Sequence, residues 1–114
     1  SPSRGLGDVY KRQIYNLTDN AVKYSGKNGK VRVELRHEDH DVVLTVADNG
    51  PGIPEEEQAQ IFSRFYRGAA VRDQDGLGLG LYLTRRILIR QGGYLRLSSR
   101  PGQGSEFSLY LPLE

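Results

Sequence analysis

The chain has 114 residues, 37% of them hydrophobic, enough for one small domain with a core of its own. It has no cysteine, which excludes a disulfide framework and a thiolate metal site, and its apolar runs are too short to span a bilayer. The net charge of +2 comes from scattered Lys and Arg, so no basic face is gathered for nucleic acid.

Residues 1–13, "SPSRGLGDVYKRQ", show no apolar periodicity and no secretory signal. One codon choice for "DVYKRQ" spells a transposon-end sequence used in DNA library preparation. Residues 1–13 are therefore read as a non-native or disordered leader, a sequencing-adapter translation, and residues 14–114 as the C-terminal fragment of a longer protein. Ile14, Leu17, Ala21 and Tyr24 recur at helical spacing and predict a helix over residues 14–25. "GKNGK" breaks it. "VRVELRHED" alternates Val31, Val33 and Leu35 with polar residues, and "DVVLTVADN" repeats the pattern with Val42, Leu44 and Val46. Both read as strands, paired as a hairpin around His40 and Asp41.

Pro54 followed by Glu55, Glu56 and Glu57 marks a helix start, with acids at the positive dipole end, and that helix is expected to turn Ile61, Phe62 and Phe65 inward. "RGAAVRDQDG" reads as a loop. Residues 79–91 form a second long helix, with Leu81, Leu83, Ile87 and Leu88 on its apolar side and Arg85, Arg86 and Arg90 on the other. "YLRLSSR" and "SEFSLYLPL" read as strands around the turn "PGQG". Sequence-adjacent strands of this kind predict a largely antiparallel sheet with helices on one face.

Three stretches carry chemistry. In "NLTDNAVKYS", Asn16, Asn20 and Lys23 fall on one helix face beside Leu17, Ala21 and Tyr24. Two carboxamides and an ammonium suit a metal-bound polyphosphate, since Mg²⁺ takes hard oxygen ligands and keeps several waters; the alternative is a solvated polar face. In "DNGPGI", Asp48 ends an apolar strand and is followed by Gly50 and Gly52. A carboxylate only accepts hydrogen bonds, so it suits the exocyclic amine of adenine and opposes the carbonyl of guanine; the alternative is an Asx turn. In "DGLGLGL", Gly76, Gly78 and Gly80 lead into a helix, where bare N–H groups make an anion site; the alternative is a hinge. The P-loop, dinucleotide and protein-kinase patterns do not fit. Arg67 and Arg72 stand beside a mobile stretch from which a γ-phosphate could be reached, with a solvated arginine the favoured reading for Arg72, while His37 and His40 are expected to be exposed and without a catalytic role.

In order and spacing, "NLTDNAVKYS", "DNGPGI", "IFSRFYR", "GLGLGL" and "GQGSEFSLYLPL" closely resemble the N, G1, F, G2 and G3 boxes of the catalytic ATP-binding domain of bacterial sensor histidine kinases. The resemblance implies an α+β fold, the two-layer Bergerat sandwich, with a mostly antiparallel mixed sheet, helices on one face and a truncated N-terminus. It implies ATP and Mg²⁺ as cofactors, Asn20 as metal ligand, and Asn16, Lys23 and Tyr24 near the phosphates. Asp48 would hold the adenine amine, with Gly50, Gly52, Ile53 and Ser105 about the base. Residues 62–75 would be a mobile lid that includes Tyr66 and Arg67, and Gly76, Leu77, Gly78, Leu79, Gly80 and Leu81 would close over the phosphates. Leu77 and Thr18 depart from the usual residue types.

Gyrase, mismatch-repair and chaperone relatives of that family carry a Glu base where Asn16 stands. An amide cannot do that work near neutral pH, so the resemblance favours a domain that holds ATP for another acceptor. The implied partners are a histidine-containing dimerisation domain and a response regulator receiver domain, with no nucleic acid and no direct membrane contact. The implied location is cytoplasmic, in a parent that is an inner-membrane sensor or a soluble one. The alternatives are an anti-sigma-type serine switch kinase and a degenerate, non-catalytic interaction module.

Overall fold

The computed structural model describes residues 2–63 and 80–113. Helix α1 (Pro2–Ser25) leads into the hairpin β1 (Val31–Glu38) and β2 (Asp41–Asp48). A four-residue helix α2 (Glu55–Gln58), helix α3 (Gly80–Arg90) and a second strand pair, β3 (Tyr94–Ser99) and β4 (Ser105–Pro112), follow. The strands form one sheet in the order β1-β2-β4-β3, and every described pairing is antiparallel. The expected sandwich is therefore present, with β2 and β4 at its centre.

Directly opposed residues share a face of the sheet, so the register sorts the side chains. Leu44 opposes Leu35 and Leu109, and Val46 opposes Val33 and Phe107. Leu44, Val46, Phe107 and Leu109 pack with Leu17 and Ala21 of α1 and Leu81 and Leu88 of α3 in one core. Leu17 and Leu88 are fully buried, each contributing roughly 1.5–3 kcal/mol. The opposite face is roofed by polar and aromatic groups. Arg36 Nη1 donates to Thr45 Oγ1 at 2.9 Å, Thr45 and Ser108 share a 3.0 Å hydrogen bond, and Tyr94 stacks on Tyr110 at 4.4 Å.

Several expectations need correction. Helix α1 begins at Pro2 rather than Ile14; the good helix formers Lys11, Arg12 and Gln13 carry it back from Ile14, but propensity does not account for its course through Gly7 and Gly5, and this says nothing of the origin of residues 1–13. Its inward stripe is Gln13, Leu17 and Ala21, while Ile14 is 39% exposed. Val33 and Leu35 do face the helix side, but they are 51% and 68% exposed because β1 is the edge strand and only Val31 packs on the core. The hairpin turns at Asp39 and His40, with Asp39 in the left-handed region at φ 53°, and Asp41 already belongs to β2. In α3 the buried residues are Leu81, Thr84 and Leu88, and Leu83 faces outward, two positions from Leu81 and so about 200° around the helix. Phe65 lies outside the described residues.

Candidate nucleotide site

The Asp48 end of the sheet is made by two turns that lock together. One leaves β2 through residues 48–53, and the other joins β3 to β4 through residues 100–104. The Gly102 amide donates to the Pro51 carbonyl at 2.7 Å. Gly52, at φ 77°, lies so close to the Arg100 carbonyl that a Cβ would overlap it, and Gly104, at φ 79°, stands in the same relation to the Asp48 carbonyl. The missing side chain of Gly52 thus makes room for the neighbouring turn. Asn49 Oδ1 accepts the Lys30 amide at 2.7 Å and ties the start of β1 to the same end.

Asp48 is half-buried where β2 ends. Its Oδ1 accepts the Gly50 amide at 2.9 Å, which is an Asx turn, and its carboxylate also accepts the Ser105 backbone N–H. A carboxylate has about four lone-pair sites, so the turn leaves capacity for a donor from outside the chain. The Asx turn and a ligand role are compatible. Burial pushes the Asp48 pKa above its ordinary 3.8, and the Gly50 and Ser105 amides oppose this without overcoming it.

Two effects of opposite sign follow. Proton uptake at Asp48 favours the folded state, so this contribution to stability is complete below pH 3.8 and is lost as pH rises through the raised value. A protonated Asp48 is a poorer acceptor for an amine, so an Asp48 that holds adenine should bind nucleotide less well over the same acid window. Thermal melts and nucleotide titrations of wild type and Asp48→Asn between pH 3.5 and 7 should show both effects in the wild type. Their difference from the variant isolates the Asp48 contribution, and parallel pH profiles would contradict this account.

Asn16 and Asn20 lie on one flank of α1, both partly buried, next to the inward stripe. Lys23 follows on that flank, 3.0 Å from Asp19, and Tyr24 lies in the last turn of α1. Leu17 and Ala21 pack in the core cluster that also holds Ile53, from the turn after Asp48, and Leu81, from the first turn of α3. Three segments far apart in sequence therefore contribute to one core. Gly80 begins α3. Tyr66, Arg67, Arg72, Gly76, Leu77, Gly78 and Leu79 lie outside the described residues. His37 and His40 are exposed, and no group of three or more His, Cys, Asp and Glu gathers among the described residues. A metal held here would need oxygens from its ligand, which suits a lone amide such as Asn20 beside a polyphosphate.

A hollow of about 460 Å³ touches Asp48, Ser99, Gly104 and Ser105 at this end and continues along Arg32, Ala47, Ser98 and Glu106. The last four lie in one register row on the sheet face away from the helices. The hollow thus runs from the Asp48 end onto the sheet face away from the helices.

Sequence reasoning missed two residues that hold this end together. Ser99 Oγ accepts the Ile53 amide at 2.8 Å, and Gln58 Nε2 donates to the Ile53 and Ser99 carbonyls at 2.9 and 3.0 Å. The only signal was position: Ser99 closes β3 just before the "PGQG" turn, and Gln58 ends the acidic helix.

The sheet order and the docked glycine turns define a Bergerat-type ATP-binding sandwich. Residues 7–114 match the family described as histidine kinase-, DNA gyrase B- and HSP90-like ATPases, and the chain belongs to that family. It is 42% identical over 107 residues to the adaptive-response sensory kinase SasA of Synechococcus sp. (strain JA-3-3Ab), covering 93% of this chain and 28% of that protein. It is 41% identical over 115 residues to the signal transduction histidine-protein kinase/phosphatase MprB of Mycolicibacterium smegmatis (strain ATCC 700084 / mc(2)155), covering 96% and 23%. Among solved structures it is similar to the mycobacterial sensor histidine kinase MprB, with TM-score 0.79 and 36% identity over 89% of this chain and 70% of that one. It is also similar to full-length ShkA in complex with AMPPNP, with TM-score 0.78 and 33% identity over 90% and 21%. The chain thus matches the ATP-binding catalytic part of sensor histidine kinases and spans under a third of the curated relatives it matches. The serine switch kinase and the degenerate module are not favoured. Among the described residues no helix is long and apolar enough to cross a membrane.

Proposed function

We propose that the domain holds Mg-ATP with adenine at Asp48 and the triphosphate running toward Asn16, Asn20 and Lys23. The γ-phosphate is then presented to a histidine on a separate dimerisation domain, for relay to a response regulator receiver domain. The observation that supports this reading is that Leu17 and Ala21 of α1, Ile53 of the Asp48 turn and Leu81 of α3 belong to one buried core.

Each residue then has a role in positioning or charge neutralisation, which make up most of the catalysis of phosphoryl transfer. Asp48 accepts the adenine amine, and Gly50, Gly52, Ile53 and Ser105 surround the base. Asn20 gives its carboxamide oxygen to Mg²⁺, and Lys23 neutralises phosphate, with Asn16 and Tyr24 alongside. Tyr66, Arg67, Gly76, Leu77, Gly78, Leu79, Gly80 and Leu81 enclose the phosphates. Asn16 cannot serve as a base, so bound ATP awaits the histidine rather than water. The domain works in the cytoplasm without touching the membrane or nucleic acid.

The test is titration of a fluorescent ATP analogue, with and without Mg²⁺, followed by mixing with a phosphoacceptor helical domain and labelled ATP. Mg²⁺ should strengthen binding to the wild type. Asn20→Ala should remove that gain, a loss of about tenfold, as expected for one contact to a charged group of roughly 1.5 kcal/mol. Binding that ignores both Mg²⁺ and Asp48→Asn would reject this reading.

A further inference from the structure

One hydroxyl governs the hydrogen bonding at the Asp48 end. Ser99, the last residue of β3, opposes Ser105 across the ladder, and Ser105 opposes Asp48. The Ile53 amide donates to Ser99 Oγ at 2.8 Å, Ser99 Oγ donates to the Gly104 carbonyl at 2.8 Å, and the two serine hydroxyl oxygens are 2.9 Å apart. A hydroxyl has one proton and two lone pairs. The Gly104 carbonyl can only accept, so the single proton of Ser99 goes there. The Ile53 N–H occupies one Ser99 lone pair. The proton between the two serines must therefore come from Ser105.

Ser105 is buried, and with its own proton committed to Ser99 its oxygen has only lone pairs left to offer. Its ladder neighbour Asp48 is a carboxylate, also without a proton to give once ionised. Gln58 braces the arrangement, since its Nε2 holds both the Ile53 carbonyl and the Ser99 carbonyl.

We propose that Ser99 is a positioning residue that sets base selectivity: by taking the Ser105 proton, it leaves only acceptors facing the six-position of the base, where they favour the amine of adenine and oppose the carbonyl of guanine. This rests on the Mg-ATP reading of Asp48 given above. Without the Ser99 hydroxyl, the Ser105 O–H is free to rotate and donate to a guanine oxygen.

The experiment displaces a fluorescent ATP analogue from the 114-residue chain with ATP and with GTP, in Mg²⁺. It compares wild type, Ser99→Ala, Ser99→Thr, Ser105→Ala and the Ser99→Ala/Ser105→Ala pair, each checked for folding by circular dichroism. The wild type should prefer ATP. Ser99→Ala should narrow the ATP-to-GTP affinity ratio by about tenfold, the scale of one hydrogen bond made or lost. Ser99→Thr keeps the hydroxyl and should stay within about twofold of wild type, while the double variant should narrow the ratio no further than Ser105→Ala alone. Equal weakening of ATP and GTP in Ser99→Ala, at an unchanged ratio, would mean a structural role and overturn the proposal. If Ser99→Ala does not fold, an unchanged ratio in Ser105→Ala overturns it as well. Failure of the wild type to bind the analogue at all would reject the Mg-ATP reading, and the Ser99 proposal with it.

Discussion

Asp48→Asn should cut affinity for an ATP analogue by about 100-fold while leaving the domain folded. The carboxylate is the acceptor-only group at the end of β2, and two of its lone-pair sites already serve Gly50 and Ser105. Asparagine has one acceptor oxygen and one donor NH₂. If the oxygen keeps the Gly50 amide, the NH₂ points toward the base and meets another donor. The loss combines a hydrogen bond to a charged group, roughly 1.5–3 kcal/mol, with a donor facing a donor. At 1.4 kcal/mol per tenfold, the lower bound is about tenfold and the combined expectation about 100-fold. The free domain should suffer far less. Burial already disfavours the ionised Asp48, so the neutral amide removes that penalty even as it strains one backbone hydrogen bond. Equilibrium titration paired with thermal melting separates the two. A variant that binds within twofold of wild type would remove Asp48 from the site. A variant that unfolds would make the carboxylate a structural group first.

The fold was legible because its signals are local. Two alternating strands, a two-residue turn and a helical stripe each follow from neighbours a few positions apart, and the sheet of β1 to β4 followed from them. The Asp48 turn was legible as a pattern, since a carboxylate between an apolar strand and two glycines has few uses. Burial was less legible, because it depends on what covers a face. Val33 and Val46 have the same alternation and sit opposite each other, yet Val46 is 1% exposed and Val33 51%, because one strand is central and the other is an edge. Thr84 shows the converse. It reads as polar, but its position three residues after Leu81 and four before Leu88 puts it on the buried face of α3, where it is fully inside. Ser99 and Gln58 were not legible at all. Their partners, Ile53 for both and Gly104 for Ser99, are fixed only when the two turns dock, and a serine at a strand end looks the same whether it meets water or two backbones.

The second large effect concerns that docking. Gly104→Ala should destabilise the domain by about 3 kcal/mol or more, and Gly102→Ala by only about 1. Both glycines have positive φ, 79° and 80°, so an alanine at either pays the left-handed cost of roughly 1–2 kcal/mol. They differ in what surrounds them. A Cβ at Gly102 meets nothing within 4 Å, whereas one at Gly104 overlaps the Asp48 carbonyl, which is backbone and cannot rotate away. Relief requires the 100–104 turn to lift off the Asp48 turn. That strains the Gly102–Pro51 hydrogen bond and moves the Gly104 carbonyl that Ser99 uses. For a domain whose total stability is of order 5–15 kcal/mol, the loss is a large fraction, and urea denaturation of the two variants measures it directly. Nucleotide affinity should fall with it in Gly104→Ala, because Asp48, Ser105 and Ile53 are all held by the turn contact. In Gly102→Ala the affinity should stay close to wild type. Equal destabilisation by the two substitutions would mean that φ alone decides, and that the close approach of Gly104 to Asp48 does not hold the site together.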